Sequence, residues 1–142
     1  VTGVQTCALP ISEQDHLDTL SLMEKVGYDY AFMFKYSERS GTHAAKHFND
    51  DVPEEVKTKR LEEIISLQRA SSHTSNLSDI GKTFEVLIEG TSKRSEEFYV
   101  GRNSQNKVIV FPKTIHSKCS YVQVKVESCT TATLLGNVAE AL

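Results

Sequence analysis

The chain has 142 residues, of which 39% are apolar and 25% are charged, and its formal net charge is −3. These values are typical of a globular protein with one domain or two small ones. The sequence contains no run of about 18 apolar residues, which is the length that a membrane-spanning helix needs. Three widely spaced cysteines exclude a disulfide scaffold and a CxxC metal site, and they make the cytosol the default compartment.

The charges divide unevenly along the chain. Residues 1–79 hold 8 Lys/Arg and 13 Asp/Glu, whereas residues 80–142 hold 8 and 6. The two halves are therefore expected to have different roles, and a mildly basic C-terminal half is compatible with an anionic partner.

The first residues, VTGVQTCALPI, lack an initiator Met and show no periodicity. They resemble the translation of a sequencing-adapter oligonucleotide, so residues 1–11 are interpreted as an artefact and excluded from fold reasoning. A real but irregular terminal segment is the alternative. On the first interpretation, the natural chain extends further in the N-terminal direction, and this sequence is its C-terminal piece.

Residues 12–78 show the pattern of a helix, a strand and a long helix. Ser12 begins SEQD, close to a capping box, and Gly27 suits the position after the helix. The aromatic segment YDYAFMFKYS is typical of a strand covered on both faces, which predicts a parallel α/β sheet. A second helix is expected from about Pro53, and it fades in the polar segment SSHTSNLSD, where the domain boundary is predicted.

Residues 79–142 show five short, alternating apolar segments without a helix. KTFEVLIEG and SYVQVKVESC alternate clearly, and EEFYVGR and KVIVFP are joined by the polar turn NSQN. Five strands in about 60 residues predict a small closed β-barrel.

Two segments carry the candidate ligand-binding residues. The loop FKYSERSGT follows the predicted strand, and ligands bind beyond the carboxyl ends of strands in parallel sheets. The segment SKRSEEFYVGRNSQNK interleaves basic and aromatic residues, a pattern that suits phosphate contact and base stacking. The residues alone also fit a polar loop that merely caps a sheet and an ordinary solvated hairpin. His43 and His47 stand four apart, but no third ligand is evident, so no metal site is predicted.

These segments, taken in order, resemble a known family. FKYSERSGTHAA, VPEEVKTKRLEEIISLQ, IGKTFEVLIEG, GRNSQNKVIVF and ATLLG together are similar to the C-terminal part of the MiaB-type tRNA methylthiotransferases, which are radical-SAM enzymes. The resemblance implies that residues 12–78 are the C-terminal piece of a TIM-like radical-SAM barrel. It also implies that residues 79–142 are a TRAM domain, a small OB-like β-barrel that binds RNA.

The resemblance also implies the site residues. A family loop of the form YSxRxGT, expected near cofactor and substrate, matches Tyr36, Ser37, Arg39, Gly41 and Thr42. Ser40 stands where the family commonly has Pro. The TRAM pattern GRxxxNK, with two basic residues before it, places the expected RNA contacts at Lys93, Arg94, Arg102, Asn106 and Lys107. The two lysines and two arginines of this set are expected to contact phosphates. For Asn106, shaping the turn is the alternative role.

The implied activity is the addition of a methylthio group to carbon 2 of isopentenyladenosine next to the tRNA anticodon. It uses two 4Fe-4S clusters and S-adenosylmethionine, yet this sequence has no CxxxCxxC motif, so the fragment is expected to be inactive alone and to carry no catalytic residue. The expected partner is tRNA, with no membrane and a monomeric full-length enzyme in the cytoplasm. Arg39 favours a tRNA enzyme over a ribosomal-protein methylthiotransferase, and Lys35 disfavours the threonylcarbamoyladenosine branch. A stand-alone RNA-binding barrel and a simple interaction domain remain alternatives.

Overall fold

A computed structural model describes residues 12–47, 50–115 and 118–139. The residues interpreted as an adapter artefact lie outside this range. In chain order the elements are the helices α1 (Glu13–Val26), α2 (His43–His47) and α3 (Glu54–Leu77), followed by the strands β1 (Thr83–Thr91), β2 (Phe98–Asn103), β3 (Val108–Pro112), β4 (Tyr121–Cys129) and β5 (Leu134–Val138). The chain divides into two compact units, between Ser71 and Ser72.

Helix α1 has the ends that the sequence predicts. The Ser12 Oγ accepts a hydrogen bond from the Asp15 backbone N–H at 3.1 Å, and the Asp15 carboxylate accepts one from the Ser12 N–H at 2.9 Å. Gly27 adopts φ 62° and donates its N–H to the Met23 carbonyl oxygen at 2.9 Å. Both ends therefore have partners for backbone groups that a helix leaves unpaired.

Two polar pairs connect α1 with the N-terminal part of α3. His16 is buried, and its Nε2 lies 2.7 Å from the Glu63 carboxylate. Arg60 donates a hydrogen bond to Glu13 at 2.9 Å. The apolar residues predicted to form one broad face of α3 are only half-buried: Val56, Leu61, Ile64, Ile65 and Leu67.

The predicted buried strand in YDYAFMFKYS is wrong for this structure. None of the described residues between Gly27 and Arg39 belongs to a strand, and Phe32 and Phe34 expose 83% and 82% of their surface. A strand requires a neighbour that accepts and donates its backbone hydrogen bonds. Since no other strand lies in the described part of residues 12–71, the segment has the composition of a buried strand but no sheet to join.

The predicted barrel is confirmed. The five strands close in the order β1–β2–β3–β5–β4, with β1 paired to both β2 and β4. All neighbours are antiparallel except β3 and β5. Register shifts after Ile88 in β1 and after Val126 in β4 mark irregularities that bend the strands so that so short a sheet can close.

The core of the barrel comes from the inward side of each strand. Eight buried residues form it: Val86, Ile88, Ile109, Phe111, Val122, Val124, Val126 and Leu134. Gly101 permits the close approach of β1 and β2, because a Cβ at this position would lie 2.4 Å from the Leu87 carbonyl oxygen. Alternation along the strands therefore separates an apolar interior from an outer surface that is available for contacts.

Candidate nucleic-acid interface

The turn between β2 and β3 is organised by two asparagines. The Asn103 Oδ1 accepts hydrogen bonds from the backbone N–H groups of Gln105 and Lys107, at 3.1 and 2.9 Å. Asn106 adopts φ 63°, a left-handed conformation that asparagine tolerates better than most residues. Asn106 thus shapes the turn, the alternative role that the sequence left open for it.

Arg102 lies on the outer side of β2, where its guanidinium is held in a fixed position. It donates to the Asn106 backbone oxygen at 3.1 Å and to the Asn106 Oδ1 at 3.0 Å. Its Nε lies 3.2 Å from the Glu89 carboxylate, and 41% of the side chain remains exposed. The group is therefore pre-positioned and still accessible to an anion.

Lys107 does not occupy the position that a phosphate-binding residue needs. Only 8% of its side chain is exposed, and its Nζ lies 2.6 Å from the Asp79 carboxylate, itself 5% exposed. The same Nζ donates to the Ser75 Oγ at 2.7 Å. This enclosed ammonium connects Asp79 and Ser75 to the barrel, and a phosphate contact of Lys107 stays a prediction that its burial does not favour.

The pKa of Asp79 reflects this pairing. Burial opposes ionisation of the carboxyl group, but the hydrogen bonds from Lys107 and Lys82 outweigh burial and hold the pKa below its ordinary value. Lys82 approaches Asp79 to 2.8 Å from the solvent side. Asn76 adds two hydrogen bonds, to the Thr130 and Thr131 carbonyl oxygens at 3.0 and 3.3 Å. The last turn of α3 and the residues after it are therefore part of the barrel unit.

Sequence reasoning missed Asp79 and Ser75 as the partners of Lys107. They stand 28 and 32 residues away in the chain, and no local pattern connects them. The one available signal is the composition of the segment SSHTSNLSD, whose polar residues are typical of a fading helix. The structure shows the helix continuing to Leu77, with these residues directed to specific partners.

The predicted RNA-binding residues fall at two opposite ends of the barrel. Lys93 and Arg94 are exposed in the loop before β2, whereas Asn106 and Lys107 belong to the turn after it. Strand β2 has six residues, which span roughly 17 Å at about 3.4 Å per residue. The structure therefore does not gather the five residues into one site, and Lys93 and Arg94 are the most exposed cations of the set.

The loop predicted to lie near cofactor and substrate is a structured turn. Thr42 donates its hydroxyl to the Arg39 carbonyl oxygen at 2.8 Å and accepts from the Ala45 N–H at 3.3 Å, which caps α2. Gly41 adopts φ 86° in this turn. Ser37 and Arg39 are exposed, and the Tyr36 hydroxyl is buried. The turn holds these residues together, while their role toward a ligand stays a prediction.

The described residues do not fit an iron–sulfur cluster. Such a cluster requires three thiolates close together. Cys119 is exposed and Cys129 is half-buried, and Cys7 lies outside the described residues. No group of three His, Cys, Asp or Glu side chains among residues 12–47, 50–115 and 118–139 has the arrangement of a metal site. In the same described ranges no helix has the length and apolar character needed to cross a bilayer.

Comparisons with known proteins agree with this geometry. The family model of the TRAM domain matches residues 78–139, which correspond to the barrel. Curated relatives named tRNA-2-methylthio-N(6)-dimethylallyladenosine synthase match most of the chain. The relative from Porphyromonas gingivalis is 58% identical over 129 residues, 91% of this chain and 28% of its own length. The relatives from Parabacteroides distasonis and Amoebophilus asiaticus are 56% and 54% identical over 129 and 127 residues, 91% and 89% of this chain and 28% and 26% of their own lengths.

The chain thus spans about 28% of the length of the curated relatives that it matches. Identity above one half over nine-tenths of the chain extends well beyond the barrel, since it includes most of residues 12–77. Residues 78–139 match the model of the TRAM domain, and nine-tenths of the chain is similar to the C-terminal region of the MiaB-type tRNA methylthiotransferases.

Proposed function

We propose that this chain serves as the C-terminal part of a tRNA methylthiotransferase, which adds a methylthio group to carbon 2 of isopentenyladenosine in cytoplasmic tRNA. The observation that carries the proposal is the 58% identity to a tRNA-2-methylthio-N(6)-dimethylallyladenosine synthase over 91% of the chain. In this proposal the TRAM barrel holds tRNA, while the chemistry takes place on the remainder of a longer protein. The two 4Fe-4S clusters and S-adenosylmethionine belong to that remainder.

The segment of residues 28–36 supports a role in completing a larger sheet. Its residues are apolar or aromatic at most positions, yet Phe32 and Phe34 are almost fully exposed. An extended apolar segment gains its hydrogen bonds and its burial when a neighbouring strand is supplied. We assign it as a strand of the radical-SAM barrel, with Tyr36, Ser37, Arg39, Gly41 and Thr42 at its carboxyl end near cofactor and substrate.

The barrel's contribution is electrostatic positioning of RNA. Phosphate contacts from Lys and Arg fix the position of a polynucleotide and make its affinity dependent on salt. Lys93, Arg94 and Arg102 are accessible for such contacts, whereas Lys107 stabilises the barrel. A ribosomal-protein or threonylcarbamoyladenosine methylthiotransferase would use the same barrel, and Arg39 and Lys35 favour the isopentenyladenosine branch.

The activity is tested with a chimera. The matching C-terminal part of the Porphyromonas gingivalis relative is replaced by residues 12–142, and the chimera is expressed in cells that lack the enzyme. We expect methylthio-dimethylallyladenosine to reappear in digested tRNA, measured by mass spectrometry. The intact relative and the same relative truncated before the junction are the positive and negative controls. A soluble chimera that restores no more modification than the truncated control would contradict the proposal.

RNA binding is tested separately on the 142-residue chain. Fluorescence titration with tRNA at low and moderate salt should give an affinity that falls as salt rises. The double reversal Lys93→Glu and Arg94→Glu should weaken binding by more than tenfold, because two phosphate contacts become repulsive. Glu96→Lys and Glu97→Lys in the same loop is the matched variant of opposite sign, and it should strengthen binding. A simple interaction domain would show no salt-dependent affinity for tRNA.

A further inference from the structure

One end of the TRAM barrel is built by two loops that the sequence separates. Residues 92–97 precede β2, and the described residues 113–115 and 118–120 lie between β3 and β4. The Lys113 N–H donates to the Glu97 carbonyl oxygen at 2.9 Å, which joins the two loops. Ile88, near the end of β1, exchanges hydrogen bonds of 2.9 Å with Cys119 and Ser120, which fixes the second loop to the same end.

This end of the barrel presents a group of exposed cations. Four exposed side chains contribute to it: Lys93, Arg94, Lys113 and Lys118. The carboxylates within the two loops are Glu96 and Glu97. At the opposite end, Lys107 and Lys82 both bind the single carboxylate of Asp79, while Arg102 and Lys125 are accessible. Four exposed cations on two joined loops are therefore available to an external anion at the end that carries residues 92–97.

An exposed aromatic side chain lies at the start of β4, the strand that follows Lys118. Tyr121 begins β4, and 64% of its surface is exposed. Val122 is directed into the core, so the alternation of the strand directs Tyr121 outward. Its partner across the sheet is Leu87, whose side chain also faces outward. The ring has no role in the core, and Lys118 precedes it by three residues.

We infer that this end of the barrel binds a single-stranded segment of RNA, with phosphates on Lys93, Arg94, Lys113 and Lys118 and one base stacked on Tyr121. The inference rests on the proposed function and locates its RNA contact. Basic residues beside an exposed aromatic ring are the combination that binds single-stranded nucleic acid. A protein partner fits less well, because lysine is depleted in protein–protein interfaces. Lys113 lies 5.5 Å from the Tyr99 ring centre, and its exposed ammonium remains accessible.

The phosphate contacts are tested by their salt dependence. The 142-residue chain is titrated with a fluorescein-labelled single-stranded RNA at several salt concentrations. The variant Lys113→Gln with Lys118→Gln should reduce the slope of log affinity against log salt by about 1.4, at about 0.7 per lost contact. The matched control, Lys25→Gln with Lys125→Gln, removes the same charge from two exposed lysines elsewhere and should leave the slope unchanged.

The stacking contact is tested by comparing a normal RNA with an abasic oligomer of the same length. Tyr121→Ala should weaken binding of the normal RNA about tenfold and leave the abasic oligomer unaffected, because a stacked base is lost and the phosphate contacts remain. Tyr121→Phe retains the ring and should bind like the unmodified chain. Circular dichroism of each variant checks that the barrel is intact.

The outcomes separate this inference from the proposed function. If the unmodified chain binds no RNA at low salt, both the RNA role of the barrel and this surface are wrong. If the chain binds RNA while the variant Lys113→Gln with Lys118→Gln has the same salt slope as its control, this surface is wrong. The surface is also wrong if Tyr121→Ala binds as tightly as Tyr121→Phe. In either case RNA contacts elsewhere carry the function.

Discussion

Residues 72–139 and residues 12–71 treat their aromatic and aliphatic side chains in opposite ways. In the first unit Phe111, Ile88 and Ile109 have no exposed surface, and closure of the strands leaves the core without an open edge. In the second unit Phe32 and Phe34 are more than four-fifths exposed, and the helices meet through polar pairs such as His16 and Glu63. Apolar composition alone is thus not enough for a core, because burial needs partners that the same unit supplies.

The difference has a functional meaning in our proposal. A barrel that completes its own hydrogen bonds and core can act as a separable RNA-binding module. A helical unit with an uncovered apolar segment gains stability when that segment is covered, since exposed apolar surface of this kind promotes association. The barrel unit, residues 72–139, would then present RNA, and the helical unit, residues 12–71, would join the body of a larger enzyme.

The largest expected effect on stability comes from replacing one phenylalanine in each unit and comparing the two losses. Phe111→Ala should destabilise the barrel by about 4 kcal/mol, because it leaves a cavity in a closed core. Phe34→Ala, in the other unit, should change the free energy of unfolding by less than about 0.5 kcal/mol, since its side chain is already in solvent. Urea unfolding followed by circular dichroism measures both. Similar losses in the two variants would contradict the comparison.

A second effect concerns the ion pair that attaches residues 75–79 to the barrel. Lys107→Met leaves the buried Asp79 carboxylate without its main partner and should cost about 3 kcal/mol. Arg102→Met breaks the exposed ion pair with Glu89 and should lower the free energy of unfolding by less than about 1 kcal/mol. Both variants can be measured by the same urea titration, and equal effects would mean that Lys107 is not structural.

The ion pair also predicts how stability depends on pH. The pKa of Asp79 in the folded barrel lies below its ordinary value of about 3.9, so its contribution is fully present above that pH. Stability from this group should be lost as the pH falls through the lower, folded-state pKa. Asp79→Asn should remove this part of the acid dependence. If the free energies of unfolding of the unmodified chain and of Asp79→Asn change in parallel from pH 6 to pH 2, Asp79 contributes nothing to the acid dependence.

The smallest expected effect lies in the helical unit. Ser12→Ala removes the hydrogen bond to the Asp15 N–H and should destabilise α1 by about 1 kcal/mol. The midpoint of barrel unfolding should not move, because the core of the barrel contains none of these residues. Amide hydrogen exchange of residues in α1 and of residues in the barrel strands tests the two parts separately. A shift of both would show that the units unfold together.

Local sequence patterns are enough to specify the elements that depend on neighbours in the chain. The capping box at Ser12, the left-handed Gly27 and the five alternating strands are such patterns, and each follows from hydrogen bonds or side-chain alternation within a few residues. The family resemblance also comes from ordered local motifs. Both the TRAM barrel and the kinship with the methylthiotransferases could therefore be predicted from the sequence.

Contacts between residues that are distant in the chain arise only in the folded molecule. Folding buries Lys107 against Asp79, 28 residues away, and it places Lys93 and Arg94 at the opposite end of β2 from Asn106. It also brings the loop of Lys113 to the loop of Lys93, although nothing in the Lys113 segment marks it. The segment around Phe34 has the composition of a buried strand, and it joins no sheet because a strand exists only beside another strand.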